Sequence, residues 1–270
     1  MDFVLEYYFD FGLMIDELDP VLEGFWYTVK LSVFAGILSL IWGLILAVLR
    51  QLPGKPLAPV RWLVIGYIDV FRGVPLLLVL LLVSGFLGSA ASPVGGEIIP
   101  RSIGVPEWLG QPSPFWYGII ALTLTYGAYM AEVYRAGIEA VPSGQMEAAR
   151  SLGMSHGQSM RNVIVPQAIR KVIPPLLNDF IALMKDTSLV SFLGLTEVVQ
   201  AGFNIQSALF NGSGLVLGAI LFLIITIPLA RVVDWLIARE HQRTSRGGRS
   251  VAPDDDAKPS GPAATGMAGA

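Results

Sequence analysis

Five stretches of this chain, at roughly residues 23–49, 65–88, 115–136, 173–199 and 214–238, are long and apolar enough to cross a bilayer as helices. A helix rises ~1.5 Å per residue, so about 20 mostly apolar residues cover the ~30 Å hydrocarbon core. In lipid every backbone N–H and C=O must be satisfied within the protein, and the stretches are too long for barrel strands, which leaves helices. Composition points the same way: 53% of residues are hydrophobic and 14% charged, against about 25% charged in a soluble domain. The expected fold is all-α, a polytopic membrane protein with about five transmembrane helices. Cysteine is absent, which removes disulfide frameworks, thiolate metal sites and cysteine nucleophiles from consideration.

The net charge of −3 says less than the placement of the charges. Lys and Arg are retained in short cytoplasmic loops. Arg50, Lys55 and Arg61 lie between the first two stretches, and Arg135, Arg150, Arg161, Arg170 and Lys171 between the third and fourth. Arg239, Arg243, Arg246 and Arg249 follow the fifth, while the segment before the first has no Lys or Arg and the loop between the second and third has Arg101 alone. The N-terminus is therefore expected outside and the C-terminus inside. Residues 1–22 mix acids with Phe3, Tyr7, Tyr8, Phe9 and Phe11 and lack the basic start of a signal peptide. They read either as an extracytoplasmic leader at the membrane interface, where aromatic rings are favoured, or as a disordered leader. Residues 23–240 form the transmembrane domain. Residues 241–270, with Gly247-Gly248 and Asp254-Asp255-Asp256, read as a disordered cytoplasmic tail. The outer connection, about residues 89–114, is rich in Gly, Pro and Ser and reads as an irregular loop that either touches a soluble partner or caps the bundle.

The inner loop, about residues 137–171, is too polar to span and too regular to be a linker. Pro142-Ser143 starts a short helix with Glu147 early in it, where a negative charge suits the helix dipole. Gly153 ends that helix, as a residue that tolerates left-handed angles. Ser155 and Gln158 have capping-box spacing for a second helix, Met160, Val163 and Ile164 give it an apolar face, and Pro166 closes the unit. With small Ala148 and Ala149 at its corner, the pair has the shape of a docking knob. On pattern alone it also fits an amphipathic hairpin lying on the bilayer.

The run Glu147-Ala148-Ala149, three residues, Gly153, nine residues, Val163-Ile164-Val165-Pro166 resembles the EAA signature of the membrane subunits of ABC importers. Val163 and Val165 stand where that signature usually has Ile and Leu. The flanking runs Tyr129 to Arg135, Gly144-Gln145 and Lys185 to Leu189 are similar to the polar amino-acid branch, the histidine and glutamine permease-like subunits, over about residues 20–240. Arg72-Gly73-Val74-Pro75 looks like that branch's R-G-T-P segment, with Val74 in place of Thr. The resemblance implies that Glu147 to Gly153 form a coupling helix seated in a separate ATPase subunit, with Glu147, Ala148, Ala149, Gly153 and Pro166 as coupling residues and alternating access as the mechanism. It implies a second permease subunit, identical or homologous, two ATP-binding subunits that hold ATP and Mg, an extracytoplasmic solute-binding protein, an amino-acid substrate, the bacterial inner membrane as location, and no nucleic acid. The chain has no G-x4-G-K-[ST] phosphate loop: of its five lysines only Lys55 follows a glycine, and the rest of that pattern is missing.

Ionisable groups inside spans are costly and usually face a cavity or a partner. Lys185 and Asp186 lie within the fourth stretch, with Asn178 and Asp179 about two turns earlier and Thr187 and Ser188 adjacent. They form a candidate substrate path, since a zwitterion needs both an acidic and a basic or amide contact. They equally read as structural pairs with other helices, and adjacent helix residues point about 100° apart, so Lys185 and Asp186 cannot share one narrow surface. Glu132 and Arg135, one turn apart, and Arg72 near an irregular helix entry are candidate gate or bundle ion pairs. Pro174-Pro175 and Pro228 predict bends. The alternative function is an ion-coupled secondary transporter, weakened by the single short bundle, the lack of an internal repeat and a docking loop such carriers do not need. An enzyme is not expected: His156 and His241 lie outside the spans, and neither H-E-x-x-H nor G-x-S-x-G occurs.

Overall fold

The computed structural model describes residues 6–52, 54–88 and 110–248, and every regular element among them is helical. In chain order these are α1 (Phe11–Asp16), α2 (Leu18–Arg50), α3 (Ala58–Gly73), α4 (Leu76–Gly88), α5 (Ser113–Glu139), α6 (Ser143–Ser151), α7 (His156–Ser159), α8 (Val165–Asp186), α9 (Val198–Leu209) and α10 (Ser213–Gly248). A wide turn over Met160–Ile164 joins α7 to α8, and a tight 3-10 segment, Thr187–Leu193, continues α8.

Two helices, Leu18–Arg50 and Ser213–Glu240, are each long and apolar enough to cross a membrane alone, and two bent pairs raise the number to four. Both bends correct the expectation of uninterrupted stretches. The segment expected over 65–88 starts at Ala58 and turns by 110° between α3 and α4. Pro75 has no N–H to donate and forces Val74 out of the helical region, to φ −91° and ψ 131°. The segment expected over 173–199 begins at Val165, leaves regular helix after Asp186, and turns at Gly194 (φ 86°) into α9, bent by 51°. Helix α9 has no counterpart in the sequence reading. Its start is set by Glu197, a fully buried carboxylate that accepts from the N–H groups of Val199 and Gln200 at 3.0 Å and lies 3.5 Å from the Thr28 hydroxyl on α2.

The centre of the bundle is the pair α2 and α5. Two apolar helices gain nothing from the hydrophobic effect when their alternative is lipid, so close packing of small residues has to hold them. A Cβ on Gly43 would sit 2.9 Å from the Gly127 carbonyl oxygen, so only glycine permits the observed approach. Trp42 lies over the gap at Gly127 and donates from Nε1 to Tyr67 Oη at 2.9 Å, and Tyr67 donates onward to the Leu124 carbonyl at 2.8 Å, binding α2, α3 and α5 together. The main apolar core, with Leu31, Leu80, Phe115, Leu122, Leu183 and Val190 fully enclosed, lies between α2, α4, α5 and the turn after α8.

The ends of the chain also depart from expectation. Residues 6–17 clasp the turn between α9 and α10, a contact the sequence reading did not foresee. Gly212 N–H donates to the Tyr7 carbonyl at 2.8 Å, Asp10 N–H to Ser213 Oγ at 3.0 Å, and Gln206 Nε2 to Tyr7 Oη at 3.1 Å. At the other end α10 continues to Gly248, so the first residues of the expected disordered tail are helical. Most of the outer loop (89–109) and residues 249–270 lie outside the described residues. Pro166 opens α8 in its first turn instead of closing the inner loop, and Pro174-Pro175 sit within α8.

Candidate functional site

The inner loop is built as its sequence dictates. Ser155 and Gln158 make the reciprocal capping box, and Gly153 takes φ 82° at the end of α6. Val141, Ile164 and Ala168 form a small buried core with Ile138, Met146, Met160 and Val163 around it, so the signature's apolar positions fasten the loop to the end of α5 and the start of α8. The outward surface carries Glu147, Ala148 and Leu152, the last 80% exposed. Ala149 is a correction to the exposed corner expected for both alanines: it is 4% exposed and packs into the loop's own interior. Leu152, a large apolar side chain held out by a stiffened turn, was not among the expected coupling residues.

Two polar clusters lie in the bundle. At the C-terminal ends of α2 and α5, Glu132 pairs with Arg50, which the sequence did not connect to it, and with Arg135 at 2.8 Å; Arg135 also reaches Glu139 at 2.5 Å. This four-residue network ties the tightly packed pair α2 and α5, so it acts as a strut.

The second cluster spans α3, α5 and α8. Asp179 and Asp186 are seven residues apart and so share one face of α8, the face toward α5. Tyr126 Oη donates to Asp186 Oδ2 at 2.7 Å. The Arg72 guanidinium, at the α3–α4 elbow, stands 5.8 Å from the centre of the Tyr129 ring. Arg72 and Asp179 do not form an ion pair among the described residues. Asp179 Oδ2 is buried with no hydrogen-bond partner. Asp179 was noted only as a neighbour of Asn178 and Tyr126 not at all; the seven-residue spacing of the two aspartates was the available signal.

The other candidates on α8 separate from this cluster. Lys185 and Asn178 are exposed and, with Lys171, recur every seven residues along a different face, about 10 Å per step. Thr187 is fully buried and its hydroxyl donates to the Met184 carbonyl at 2.7 Å, while Ser188 donates to the Lys185 carbonyl at 2.8 Å. Both hydroxyls thus turn back on their own helix. Among the described residues no group of three or more His, Asp and Glu side chains is arranged to hold a metal ion.

Residues 25–245 match the family model described as the binding-protein-dependent transport system inner membrane component. The chain is 33% identical over 203 residues to the arginine transport system permease protein ArtQ of Bacillus subtilis (strain 168), covering 75% of this chain and 83% of that protein. It is also 33% identical to the glutamate/aspartate import permease protein GltK of Escherichia coli O157:H7 over 245 residues, 86% of this chain and 99% of that one. Among solved structures, a chain of an amino acid ABC transporter crystallised with histidines superposes with a TM-score of 0.71 at 32% identity, covering 85% of this chain and 98% of its own length.

Proposed function

From its membership of the binding-protein-dependent transport system inner membrane components, a bacterial inner-membrane family, we propose how this permease subunit of an ABC-type amino-acid importer works. The chain crosses the membrane five times, the bent pairs α3–α4 and α8–α9 and the central α5 each counting once, with the N-terminus outside and the inner loop in the cytoplasm. Arg50, Arg61, Arg170 and Arg239 then lie at inner helix ends, as retention of positive charge requires. Helix α5 is less apolar than α2, and its buried positions include Gly118, Thr125, Tyr126 and Gly127, as suits a helix surrounded by protein.

The observation that carries the mechanism is the inner loop: a knob with its own buried core, presenting Glu147, Ala148 and Leu152 outward. Such a knob transmits force from a separate ATP-binding subunit because its shape does not yield. Glu147 orients it through charge-assisted hydrogen bonds to the partner, Ala148 permits close approach, and Gly153 sets the bend. ATP and Mg reside on that partner. The polar stripe of half-buried Lys171 and exposed Asn178 and Lys185 supports a second permease subunit, since polar groups at membrane depth face a partner or a water-filled path. Two permease subunits, two ATP-binding subunits and an extracytoplasmic solute-binding protein make the working unit, and Glu132 with Arg50 and Arg135 braces each half as it moves.

The test is ATP hydrolysis by the reconstituted permease and ATP-binding subunits with the solute-binding protein, measured with arginine, glutamine, glutamate and histidine. Stimulation by one class is expected. Assembly with the ATP-binding subunit but no response to any of them would refute amino acids as cargo, and failure to assemble would favour the ion-coupled carrier.

A further inference from the structure

Helix α10 has little protein around it: 17% of its apolar span is buried, against 44% for α2. Where that span ends, a cleft of about 90 Å³ opens between α10 and the start of α8, lined by Arg170, Ile173 and Pro174 on one side and by Leu236, Arg239 and Glu240 on the other. Two guanidinium groups and one carboxylate leave the cleft with one net positive charge. Arg239 is stacked in place, its guanidinium 5.1 Å from the centre of the Trp235 ring, and that ring is 57% exposed. An exposed tryptophan about one turn before the end of a span belongs at headgroup level, which sets the arginine beside it at the depth of lipid phosphates. Deeper along the same two helices the exposed surface is apolar, with Ile173 on α8 and Val232 on α10. From water inwards the order is guanidinium pair, aromatic ring, hydrocarbon-facing wall, which is the polarity profile of a phospholipid.

Resting on the orientation given under the importer function above, which puts both helix ends at the inner surface, we propose that this cleft holds the phosphodiester of an anionic phospholipid of the inner leaflet, with phosphatidylglycerol as the simplest case. Basic pockets between membrane helices on the cytoplasmic side suit anionic headgroups, and the planar fork of arginine matches phosphate oxygens. Arg170 and Arg239 donate to the phosphate, whose single negative charge cancels the net charge of the cleft. The acyl chains lie along the apolar wall. A zwitterionic headgroup adds an ammonium beside two guanidinium groups and leaves that charge uncancelled. The bound lipid ties the start of α8, into which the inner loop runs, to the end of α10. The polar stripe that begins at Lys171 is a separate surface, because adjacent residues on a helix point about 100° apart. The sequence goes on to Arg243, Arg246 and Arg249, which extends the positive charge past the span.

The experiment is native mass spectrometry of the detergent-purified complex of permease and ATP-binding subunits, read as lipid retained per permease chain. The probes are the dioleoyl forms of phosphatidylglycerol, phosphatidylethanolamine and phosphatidylcholine, which share their acyl chains, with inorganic phosphate as competitor. Wild-type protein is expected to hold phosphatidylglycerol roughly tenfold more tightly than either zwitterionic lipid, and inorganic phosphate is expected not to displace it. Arg170→Gln and Arg239→Gln should each weaken phosphatidylglycerol about fivefold and leave phosphatidylcholine unchanged. Arg239→Lys, which keeps the charge, should retain most of the preference. Arg231→Gln removes the same charge from the exposed Arg231–Asp234 pair on the same helix and should retain all of it. Thermal melting of each variant checks that the fold survives. Equal retention of the three lipids, displacement by inorganic phosphate, or a preference untouched by both Arg170→Gln and Arg239→Gln would overturn the site. ATP hydrolysis with solute-binding protein and amino acid, measured on the same preparation, separates this site from the function it rests on. Stimulation without lipid preference overturns the lipid site and leaves the importer function standing, and lipid preference without stimulation does the reverse.

Discussion

Glu132 shows how much one side chain can hold. Its carboxylate meets Arg50 from α2 and Arg135 from its own helix, with the side chain 16% exposed. Glu132→Ala leaves two guanidinium groups near each other without their shared counter-charge. The expected loss is about 1–3 kcal/mol, the range for stranding a hydrogen-bonded polar group. It should appear as a lower melting temperature of the detergent-solubilised protein, while Glu139→Ala, which removes a side chain 61% exposed in the native pair, should shift melting little. Equal melting of Glu132→Ala and wild type would rule out the strut.

Among the elements, those set by neighbours in sequence were legible and those set by distant contacts were not. The capping box at Ser155 and the left-handed Gly153 depend on a few consecutive residues, and both form as read. Pro75 marked an irregular helix, but the 110° turn follows from how α4 packs against the core. Helix α9 was missed because the capping carboxylate of Glu197 is fixed by Thr28, 169 residues away. The inner loop makes the same distinction inside one motif. The Glu147-Ala148-Ala149 run resembles a coupling signature, but it could not say which alanine faces inward. Ala148→Trp is expected to abolish co-purification of the ATP-binding subunit with melting unchanged. Ala149→Trp, which must overpack the loop's interior, is expected to lower the melting temperature, with a cost of about 1–3 kcal/mol. The reverse pattern would show that the loop docks by its other face.

For the molecule as a whole, the polar stripe on α8 and the apolar exposure of α10 make opposite claims about surroundings. Lys185 and Asn178 are exposed, as is Ile224 at 62% on α10. Because the chain has no cysteine, single replacements report without a background. In the assembled transporter in liposomes, Asn178→Cys and Lys185→Cys are expected to react with a water-soluble maleimide, and Ile224→Cys to remain unlabelled in hydrocarbon. Labelling of Ile224→Cys alone would invert the assignment of path and lipid faces. The clasp on the turn between α9 and α10 bears on how such a molecule is finished. The segment from Tyr7 to Asp10 is anchored on Gly212 and Ser213, and Ser213 comes 203 positions after Asp10. A chain made from its N-terminus therefore makes this segment long before its keeper, and the segment waits unlatched until the turn between α9 and α10 is in place. Closure of the latch can follow only once α9 and α10 have joined the bundle, so the latch reports assembly and not merely synthesis.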